Sequence, residues 1–408
     1  MDVRIESRRL AGAVTPPPSK SMAHRLIIAA ALGSGVSTVR NVAMSQDIQA
    51  TLRCITALGG QWEQPSEGVL TIQGFGGKSP ASGELPLLDC GESGSTLRFF
   101  IPIALAAAGG GVFTGRGRLM ERPQKPYFDL FDKRGIFHEQ TDGVLTVRGR
   151  LVPGEYRLPG NVSSQFFTGL LFALPLLDGD SSIVSTTALE SSDYISMTLE
   201  AMAQAGAAPE IGADRQSYRV TPADYRPVDA AVEADWSQAG FWYAAKALGS
   251  PVELQGLDPD STQGDRIVAA HYERLTQPGD ADIDVSGCPD LLPPMAVMAS
   301  IRQGTTRFVN AARLRIKESD RLKTTAALLN ALGGQAEEGP DSLTVRGVSA
   351  FTGGTVDGAN DHRIVMAAAI AATRSAGPVT ILGAEAVRKS YPGFWDDYKR
   401  LGGDVHVL

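Results

Sequence analysis

The stretch TLRCITALGGQWEQPSEGVLTIQG, Thr51–Gly74, decides the fold because it joins a helical pattern to a strand pattern and recurs along the chain. Before Gly59 and Gly60, its apolar residues repeat every three or four positions, as in a helix. After these glycines, the period shortens towards two, as in a strand. Similar stretches are YFDLFDKRGIFHEQTDGVLTVRG, Tyr127–Gly149, and TTAALLNALGGQAEEGPDSLTVRG, Thr324–Gly347. In each we expect a helix, a glycine stop and a short strand, so the repetition predicts an α/β protein of repeated units.

The repeated stretches fall into two groups, one before and one after about Tyr225. Between them, ADYRPVDAAVEADW carries a proline and mixed charges, which is typical of a crossover between lobes. The N-terminal strand completes the second group if PPPSKS, which begins at Pro16, crosses into the first. We therefore predict two lobes: lobe I, residues 1–18 and 229–408, and lobe II, residues 19–228. Generic alternation of helices and strands is the alternative, but similar spacing in three copies weighs against it.

Composition limits the classes of protein that need to be considered. The 408 residues favour two or three domains, and 43% hydrophobic with 20% charged residues is the balance of a globular protein. A net charge of -7 gives no general attraction to nucleic acid or acidic membranes, so an anion must be bound by a local cluster of Lys and Arg. Because we find no long apolar span and no signal core, we expect a cytoplasmic protein without membrane or nucleic-acid partners.

Several catalytic and structural motifs are absent or incomplete. The three cysteines are widely separated and odd in number, which argues against a disulfide framework, and the five histidines lack the spacing of metal ligands. No GxxxxGK[ST] loop is present, which disfavours a nucleotide kinase. GESGS approaches the GxSxG elbow of a serine hydrolase, but Ser95 stands where the last glycine is required.

Motifs in the first half of the chain combine hydroxyl, glycine and basic residues near predicted helix starts. PPPSKSMAHRL contains Lys20, Ser21 and Arg25, and the free N–H groups of a helix start favour anions. LDCGESGSTLR contains Gly94, and LPGNVSSQFF contains Ser163–Gln165. Capped helices, plain turns and a solvated basic loop around ERPQK are the alternatives for these motifs taken singly.

Charged residues also precede predicted helices in the second half. Lys317 and Arg321 in RLRIKESDRLK are four apart and share a helix face, and Glu318 lies three positions before Arg321. Helix caps and surface ion pairs are the alternatives for such residues. The remaining candidates are Asp290 in GCPDLLPP, Arg363 in NDHRIVM and Lys389 in VRKSYPG.

Taken in series, PPSKS, GESGSTLR, ERP, SSQF, CPD, RIKESDR, NDHR and KSYP resemble the motifs of the 5-enolpyruvylshikimate-3-phosphate synthase family over nearly the whole chain. The resemblance implies an α/β fold of two similar lobes of repeated βαβαββ units, an inside-out α/β barrel, joined by two hinge crossovers. It also implies an enzyme, a 3-phosphoshikimate 1-carboxyvinyltransferase of chorismate and aromatic amino-acid biosynthesis. Such an enzyme moves the enolpyruvyl group of phosphoenolpyruvate to the 5-hydroxyl of shikimate 3-phosphate and releases phosphate, without a metal or organic cofactor.

The resemblance assigns roles to the residues at matching positions. Asp290 holds and deprotonates the hydroxyl, Glu318 protonates the methylene carbon, and Lys20 assists the departing phosphate. The positions for shikimate 3-phosphate are Lys20, Ser21, Arg25, Ser163, Ser164, Gln165, Ser191 and Tyr194, and Lys317 matches a substrate contact. The positions around phosphoenolpyruvate are Lys20, Gly94, Arg122, Arg321, Arg363 and Lys389.

Both implied substrates are polyanions, so several Arg and Lys side chains must converge to offset their repulsion. The matched positions up to Tyr194 lie in lobe II, and those from Asp290 onward lie in lobe I. We therefore expect substrate binding to close the two lobes and assemble the site, within a monomer.

Some positions depart from the family's frequent pattern, namely Glu92, Phe99 and Arg313. These departures leave inhibitor sensitivity and fine substrate geometry open. Gly94 is retained, and the family's inhibitor glyphosate needs space there, so we predict inhibition by glyphosate.

Two other functions remain as alternatives. UDP-N-acetylglucosamine enolpyruvyl transferase has the same fold, but it usually carries Lys-Asn where Lys20 and Ser21 stand and a reactive Cys near positions 115–118, where this chain has none. A non-catalytic relative is expected to lack Asp290, Glu318 or Lys20, and all three are present.

Overall fold

The computed structural model describes residues 1–79 and 83–408, in which short strands alternate with helices. The strands are β1 (Val3–Glu6), β2 (Gly12–Val14), β3 (Val36–Arg40), β4 (Gln61–Ser66), β5 (Val69–Gln73), β6 (Leu87–Asp89), β7 (Gly110–Thr114), β8 (Phe137–Thr141), β9 (Val144–Arg148), β10 (Glu155–Leu158), β11 (Ser181–Ser185), β12 (Glu210–Ile211), β13 (Ser217–Val220), β14 (Asp229–Ala231), β15 (Val252–Leu254), β16 (Ala281–Asp284), β17 (Thr305–Val309), β18 (Gln335–Glu338), β19 (Leu343–Arg346), β20 (Gly354–Asp357), β21 (Val379–Leu382) and β22 (Asp404–Val407).

The helices lie between these strands, and several begin directly after a serine or aspartate cap. They are α1 (Lys20–Leu32), α2 (Gln46–Ala57), α3 (Gly94–Ala108), α4 (Lys125–Arg134), α5 (Ser164–Ala173), α6 (Ser192–Gln204), α7 (Trp236–Ala247), α8 (Val268–Leu275), α9 (Leu292–Ala299), α10 (Arg321–Ala331), α11 (His362–Ala372) and α12 (Phe394–Arg400). Within residues 1–79 and 83–408, no helix is both long enough and apolar enough to cross a bilayer.

The chain forms two compact units. Unit 1 comprises Met1–Pro17 and Ala234–Leu408, and unit 2 comprises Pro18–Glu233. The lobes predicted from the sequence change over at 18/19 and 228/229 instead. Residues 229–233 belong to unit 2 because β14 pairs in parallel with β3, which Val36–Arg40 form inside that unit.

Among the described residues, five of the six sheets share one pattern, in which a parallel pair of strands is followed by two antiparallel neighbours. Unit 2 has the orders β14-β3-β5-β4, β6-β7-β9-β8 and β10-β11-β13-β12. Unit 1 has β16-β17-β19-β18 and β20-β21-β1-β22, together with the parallel pair β2 and β15. The order β6-α3-β7-α4-β8-β9 is one βαβαββ repeat, and β16-α9-β17-α10-β18-β19 is another.

Each sequence repeat contains a hairpin where one short strand was predicted. The repeat at Thr51–Gly74 forms α2, β4 and β5, and the other two form α4 with β8 and β9 and α10 with β18 and β19. The first strand of each hairpin was missed because it is an edge strand: every residue of β4 is exposed. Exposure on both faces removes the apolar alternation by which a half-buried strand is recognised.

The inner helices of each unit are buried on nearly every side. In unit 2, α1 is buried from Met22 to Leu32, and in unit 1 every residue of α9 and α11 is buried. Strands such as β9 bury alternate residues, Leu145 and Val147, against this interior. The apolar residues therefore form one core per unit, with helices inside and sheets outside.

Candidate active site

The inner helices α1, α3 and α5 of unit 2 begin directly after serine caps. Each serine side chain accepts a hydrogen bond from a backbone N–H group of the first helical turn. Helix starts carry partial positive charge, so the local sequence creates positions that favour anions. The caps are Ser19, Ser93 and Ser163, and the residues that follow them are Lys20, Gly94 and Ser164.

Arg98 joins the start of α3 to the start of α5. Its Nη1 donates to Gln165 Oε1 at 2.8 Å and to Ser163 Oγ at 3.4 Å. Its Nη2 donates to the carbonyl oxygen of Pro123 at 3.1 Å. Gln165 Nε2 donates to Ser95 Oγ at 2.9 Å, so these polar groups of two separate motifs lie together.

Arg25 is a buried cation that is bound by neutral oxygen atoms. Its side chain is 2% exposed, and its Nε donates to Thr198 Oγ1 at 2.9 Å. Nη2 donates to Thr168 Oγ1 at 3.5 Å, and Nη1 donates to the Ser21 carbonyl oxygen at 2.8 Å. Within residues 1–79 and 83–408, Arg25 makes no ion pair with a carboxylate.

Aromatic rings complete the surroundings of Arg25. Its guanidinium lies 5.4 Å from the ring centre of Phe99 and 5.9 Å from that of Tyr194. Burial lowers the pKa of Arg25 to about 10, a sign that its charge is costly in this environment. Ser191, the residue before α6, is also buried and has a positive φ of 55°.

Lys20 and His24 connect α1 to α2. Lys20 Nζ lies 2.7 Å from Asp47 Oδ2, forming a mostly buried ion pair. The ring Nδ1 of His24 is 2.8 Å from Thr51 Oγ1, which in turn is 2.8 Å from Thr96 Oγ1 on α3. Burial lowers the pKa of His24, as do the charges of nearby Lys20 and Arg25, so His24 serves as a neutral link between helices.

Gly94 leaves room for Arg122. A Cβ atom placed on Gly94 would lie 2.6 Å from Arg122 Nη1, so a larger residue requires the guanidinium to move. Arg122 is 8% exposed and follows the 3₁₀ turn Leu119–Glu121. The glycine and the arginine were predicted as neighbours of one substrate, and they do lie against each other.

Arg321 organises the second cluster, in unit 1, by binding three carboxylates. Its Nη1 lies 2.7 Å from Asp290 Oδ1, and its Nη2 lies 2.6 Å from Glu318 Oε2. Its Nε lies 2.8 Å from Oδ2 of Asp361, which is fully buried. The guanidinium therefore fixes both predicted acid–base carboxylates with one rigid plane of donors.

Asp290 receives two further cations. Arg363 Nη2 lies 2.9 Å from Asp290 Oδ2 and also donates to Ser237 Oγ at 3.0 Å. Lys317 Nζ lies 3.3 Å from Asp290 Oδ1. Both oxygens of this carboxylate are thus held in place.

The pKa values of the cluster follow from burial and charge. Burial alone would lower the pKa of Arg321, but its three carboxylate partners outweigh burial and raise it. Burial would likewise raise the pKa of Asp361, yet the charge of Arg321 lowers it. For Lys317, burial dominates and lowers the pKa to about 8, so this amine changes charge near neutral pH.

Lys389 lies at the end of the 3₁₀ helix Ala384–Lys389 and is 4% exposed. Its Nζ donates to the carbonyl oxygen of Asn360 at 2.6 Å. Asn360 and Ala359 both have a φ of 51°, and Asp361 then caps α11 by accepting from the N–H of Arg363. The turn before α11 therefore ties the NDHR motif to the KSYP motif.

The predicted residues divide between the two units, and the set in each unit is called its cluster. Unit 2 contains Lys20, Ser21, Arg25, Gly94, Arg122, Ser163, Ser164, Gln165, Ser191 and Tyr194, and unit 1 contains Asp290, Lys317, Glu318, Arg321, Arg363 and Lys389. The predicted set omitted several residues that contact these side chains: Asp47, Arg98, Thr168, Thr198, Ser237 and Asp361. Of these, Arg98 and Asp361 stand inside recognised motifs and could have been selected. Among the described residues, no group of His, Cys, Asp and Glu is arranged to hold a metal ion.

The chain is an α/β protein. Its two clusters contain buried cations, helix caps and carboxylates, an arrangement that is suited to anionic substrates. The model of the EPSP synthase (3-phosphoshikimate 1-carboxyvinyltransferase) family matches residues 5–398, and the chain belongs to this family. The family and the enzyme class predicted from the motifs are confirmed.

Curated relatives share the name and nearly the full length. The 3-phosphoshikimate 1-carboxyvinyltransferase of Clostridium kluyveri is 43% identical over 99% of this chain and 98% of the relative. The enzyme of the same name from Clostridium acetobutylicum is 42% identical, with the same coverage.

Solved structures confirm the predicted fold. EPSP synthase from Acinetobacter baumannii aligns with a TM-score of 0.79 and 24% identity over 100% of both chains. The enolpyruvyl transferase NikO from Streptomyces tendae aligns with a TM-score of 0.76 and 17% identity, covering 99% of this chain and 98% of its own. At these identities, the likeness is evidence for the fold alone.

Proposed function

We propose that this chain transfers the enolpyruvyl group of phosphoenolpyruvate to the 5-hydroxyl of shikimate 3-phosphate. The hydroxyl oxygen of shikimate 3-phosphate bonds to C2 of phosphoenolpyruvate, while the methylene carbon of phosphoenolpyruvate takes a proton. The resulting tetrahedral intermediate loses phosphate and a methyl proton, giving 5-enolpyruvylshikimate 3-phosphate. The observation that carries the proposal is the contact of Arg321 with both Asp290 and Glu318.

The unit 1 cluster supports an acid–base role for its carboxylates. Asp290 is held by Arg321 and Arg363 and is the candidate that orients and deprotonates the hydroxyl. Glu318 lies on the other nitrogen of the same guanidinium and is the candidate that protonates the methylene carbon. One fixed arginine thus places two proton-transfer groups at set positions.

The unit 2 cluster supports the binding of phosphate. Among the described residues, Arg25 contacts hydroxyl and carbonyl oxygens and aromatic rings but no carboxylate, so a phosphate would supply the missing opposite charge. Ser163 and Gln165 add hydroxyl and amide groups near the start of α5. We assign this cluster to shikimate 3-phosphate, with Lys20 assisting the departing phosphate.

We propose that substrate binding closes the two lobes, so that residues of both units act on the same substrates. Small-angle scattering with and without shikimate 3-phosphate tests this step. A smaller radius of gyration is expected with the ligand, and an unchanged radius would count against closure.

The function itself is tested by phosphate release from phosphoenolpyruvate with two alternative acceptors. Release should depend on shikimate 3-phosphate and should not occur with UDP-N-acetylglucosamine. Release with the second acceptor alone would favour the sibling transferase, and no release with either would favour a non-catalytic relative.

A Lys20→Met variant tests the proposed role of the amine. Phosphate release should be abolished while the protein stays folded, because Lys20 lies at a helix start outside the apolar core, although the loss of its ion pair with Asp47 lowers the melting temperature. Retained turnover would remove Lys20 from the mechanism.

We also propose a monomer in the cytoplasm. We propose that it is inhibited by glyphosate, since a glycine, Gly94, is retained where the family's inhibitor needs space. Light scattering tests the first point. Normal turnover at high glyphosate concentration would refute the last.

A further inference from the structure

Lys317 and Glu318 lie in a segment whose shape depends on side-chain contacts. Residues 317–320 form neither helix nor strand, and they connect the 3₁₀ helix Ala312–Ile316 to α10. On the inner side, Ser319 Oγ donates to Asp361 Oδ2 at 2.9 Å. On the outer side, further contacts are needed if the side chains of Lys317 and Glu318 are to keep one position.

Arg315 supplies contacts on that outer side. Its Nη1 lies 2.8 Å from Asp320 Oδ2 and 2.9 Å from Glu338 Oε2. Its Nε donates to the carbonyl oxygen of Pro340 at 2.9 Å, and its Nη2 donates to that of Gly339. One guanidinium therefore joins the start of α10 to the end of β18 and to the turn that follows.

The turn between β18 and β19 is a rigid partner for this contact. Glu338 pairs with Leu343, and Gly339 N–H donates to the Ser342 carbonyl oxygen at 2.8 Å. The N–H of Ala311 also donates to the Asp341 carbonyl oxygen at 2.8 Å, so the turn contacts residues 311–320 at Ala311 as well as at Arg315. The hairpin therefore acts as a support against which residues 311–320 are held.

We propose that Arg315 is a positioning residue that holds Lys317 and Glu318 in the geometry required for enolpyruvyl transfer; this inference rests on the proposed function. A planar guanidinium suits the task because its donors point in several directions at once, whereas a lysine offers a single nitrogen. Without Arg315, the carboxylates of Asp320 and Glu338 face each other and repel, which moves the segment away from the hairpin.

The contacts of Arg315 are expected to matter more for rate than for stability. Its side chain is 31% exposed, and ion pairs at such sites contribute little to the free energy of folding. Small displacements of catalytic groups, by contrast, slow a reaction by factors on the order of 100.

The experiment compares kcat and KM for Arg315→Ala, Arg315→Lys and Arg307→Ala in the full-length protein. Arg307 is an exposed arginine on β17 of the same unit and serves as the matched control. For Arg315→Ala we expect kcat to fall roughly 10- to 100-fold, with little change in melting temperature. Arg315→Lys should recover only part of the loss, and Arg307→Ala should match the wild type.

A double-mutant comparison with Glu318→Gln shows whether Arg315 acts through the segment. If it does, adding Arg315→Ala to Glu318→Gln should lower kcat by a smaller factor than adding it to the wild type, because one of the two groups that Arg315 positions is already gone. A wild-type kcat for Arg315→Ala, or the same fold loss in both backgrounds, would overturn the inference.

Hydrogen exchange separates failure of this inference from failure of the proposed function. Backbone amides of residues 317–320 should exchange faster in Arg315→Ala than in the wild type, whatever the substrate proves to be. If wild-type protein releases no phosphate with shikimate 3-phosphate, the proposed function fails, and unchanged exchange at these amides would still overturn the positioning role.

Discussion

Arg25 and Arg321 are both buried arginines in clusters near helix starts, yet their partners differ in charge. Arg25 in unit 2 is bound by two threonine hydroxyls and a backbone carbonyl, and its pKa is lowered by burial. Arg321 in unit 1 is bound by three carboxylates that raise its pKa. The difference teaches that the charge of Arg25 has no carboxylate partner among the described residues, whereas the charge of Arg321 holds three carboxylates in place.

The largest effect is expected when proton transfer in unit 1 is removed. Asp290→Asn preserves size but removes the base, and its amide nitrogen cannot accept a hydrogen bond from the cations that Asp290 binds, so kcat should fall by roughly 10²- to 10⁴-fold. Steady-state phosphate release measures the loss. Calorimetric titration should show shikimate 3-phosphate binding within a few-fold of wild type, and a kcat near wild type would contradict the division of roles.

The two arginines should also differ when each is replaced by methionine. Arg321→Met leaves its three carboxylates buried without their shared partner, so the free energy of unfolding should fall by about 3–5 kcal/mol. Arg25→Met removes a charge that burial disfavours, so the free energy of unfolding should be unchanged or higher. Urea denaturation of both variants measures this contrast.

Binding of shikimate 3-phosphate provides the control for the comparison of Arg25→Met with Arg321→Met. A charge-assisted hydrogen bond contributes about 1.5–3 kcal/mol, so Arg25→Met should weaken shikimate 3-phosphate binding roughly 10- to 100-fold. A strongly destabilised Arg25→Met that binds the ligand normally would show that Arg25 is structural.

A smaller effect is expected from the titration of Lys317. Its folded pKa of about 8 lies below its ordinary value of 10.5, so its charged form costs stability below pH 8, and that cost is relieved as pH rises from 8 to 10.5. In the folded protein the amine loses its charge around pH 8, so KM for the substrate that Lys317 contacts should rise several-fold above pH 8. Lys317→Arg keeps the charge and should move that rise to higher pH. Superimposable pH profiles would remove Lys317 from substrate binding.

The repeats, the two-lobe organisation and the family could be predicted because each depends on patterns of residues that are close in sequence. The glycine stop after a helical period is one example: Gly135 ends α4 with a φ of 65°. The edge strands β4, β8 and β18 could not be predicted in this way, because their sequences do not alternate between apolar and polar residues. The compact units change over a few residues away from the predicted lobe boundary, because the pairing of β14 with β3 joins segments about 190 residues apart.

The site was predictable where motifs carry charge and unpredictable where distant segments supply neutral partners. Thr198 lies 173 residues from Arg25 and stands inside α6, where a threonine gives no sign of its contact. Asp361 was visible in NDHR, but its contact with Arg321 depends on the packing of α10 against α11. Local patterns thus identify charged groups, and tertiary packing decides what each of them faces.

The most direct test is to identify and count the products formed from phosphoenolpyruvate and shikimate 3-phosphate. Phosphorus magnetic resonance and mass spectrometry of the quenched reaction should find one phosphate and one 5-enolpyruvylshikimate 3-phosphate for each phosphoenolpyruvate consumed. Consumption only with UDP-N-acetylglucosamine, or none at all, would contradict the account.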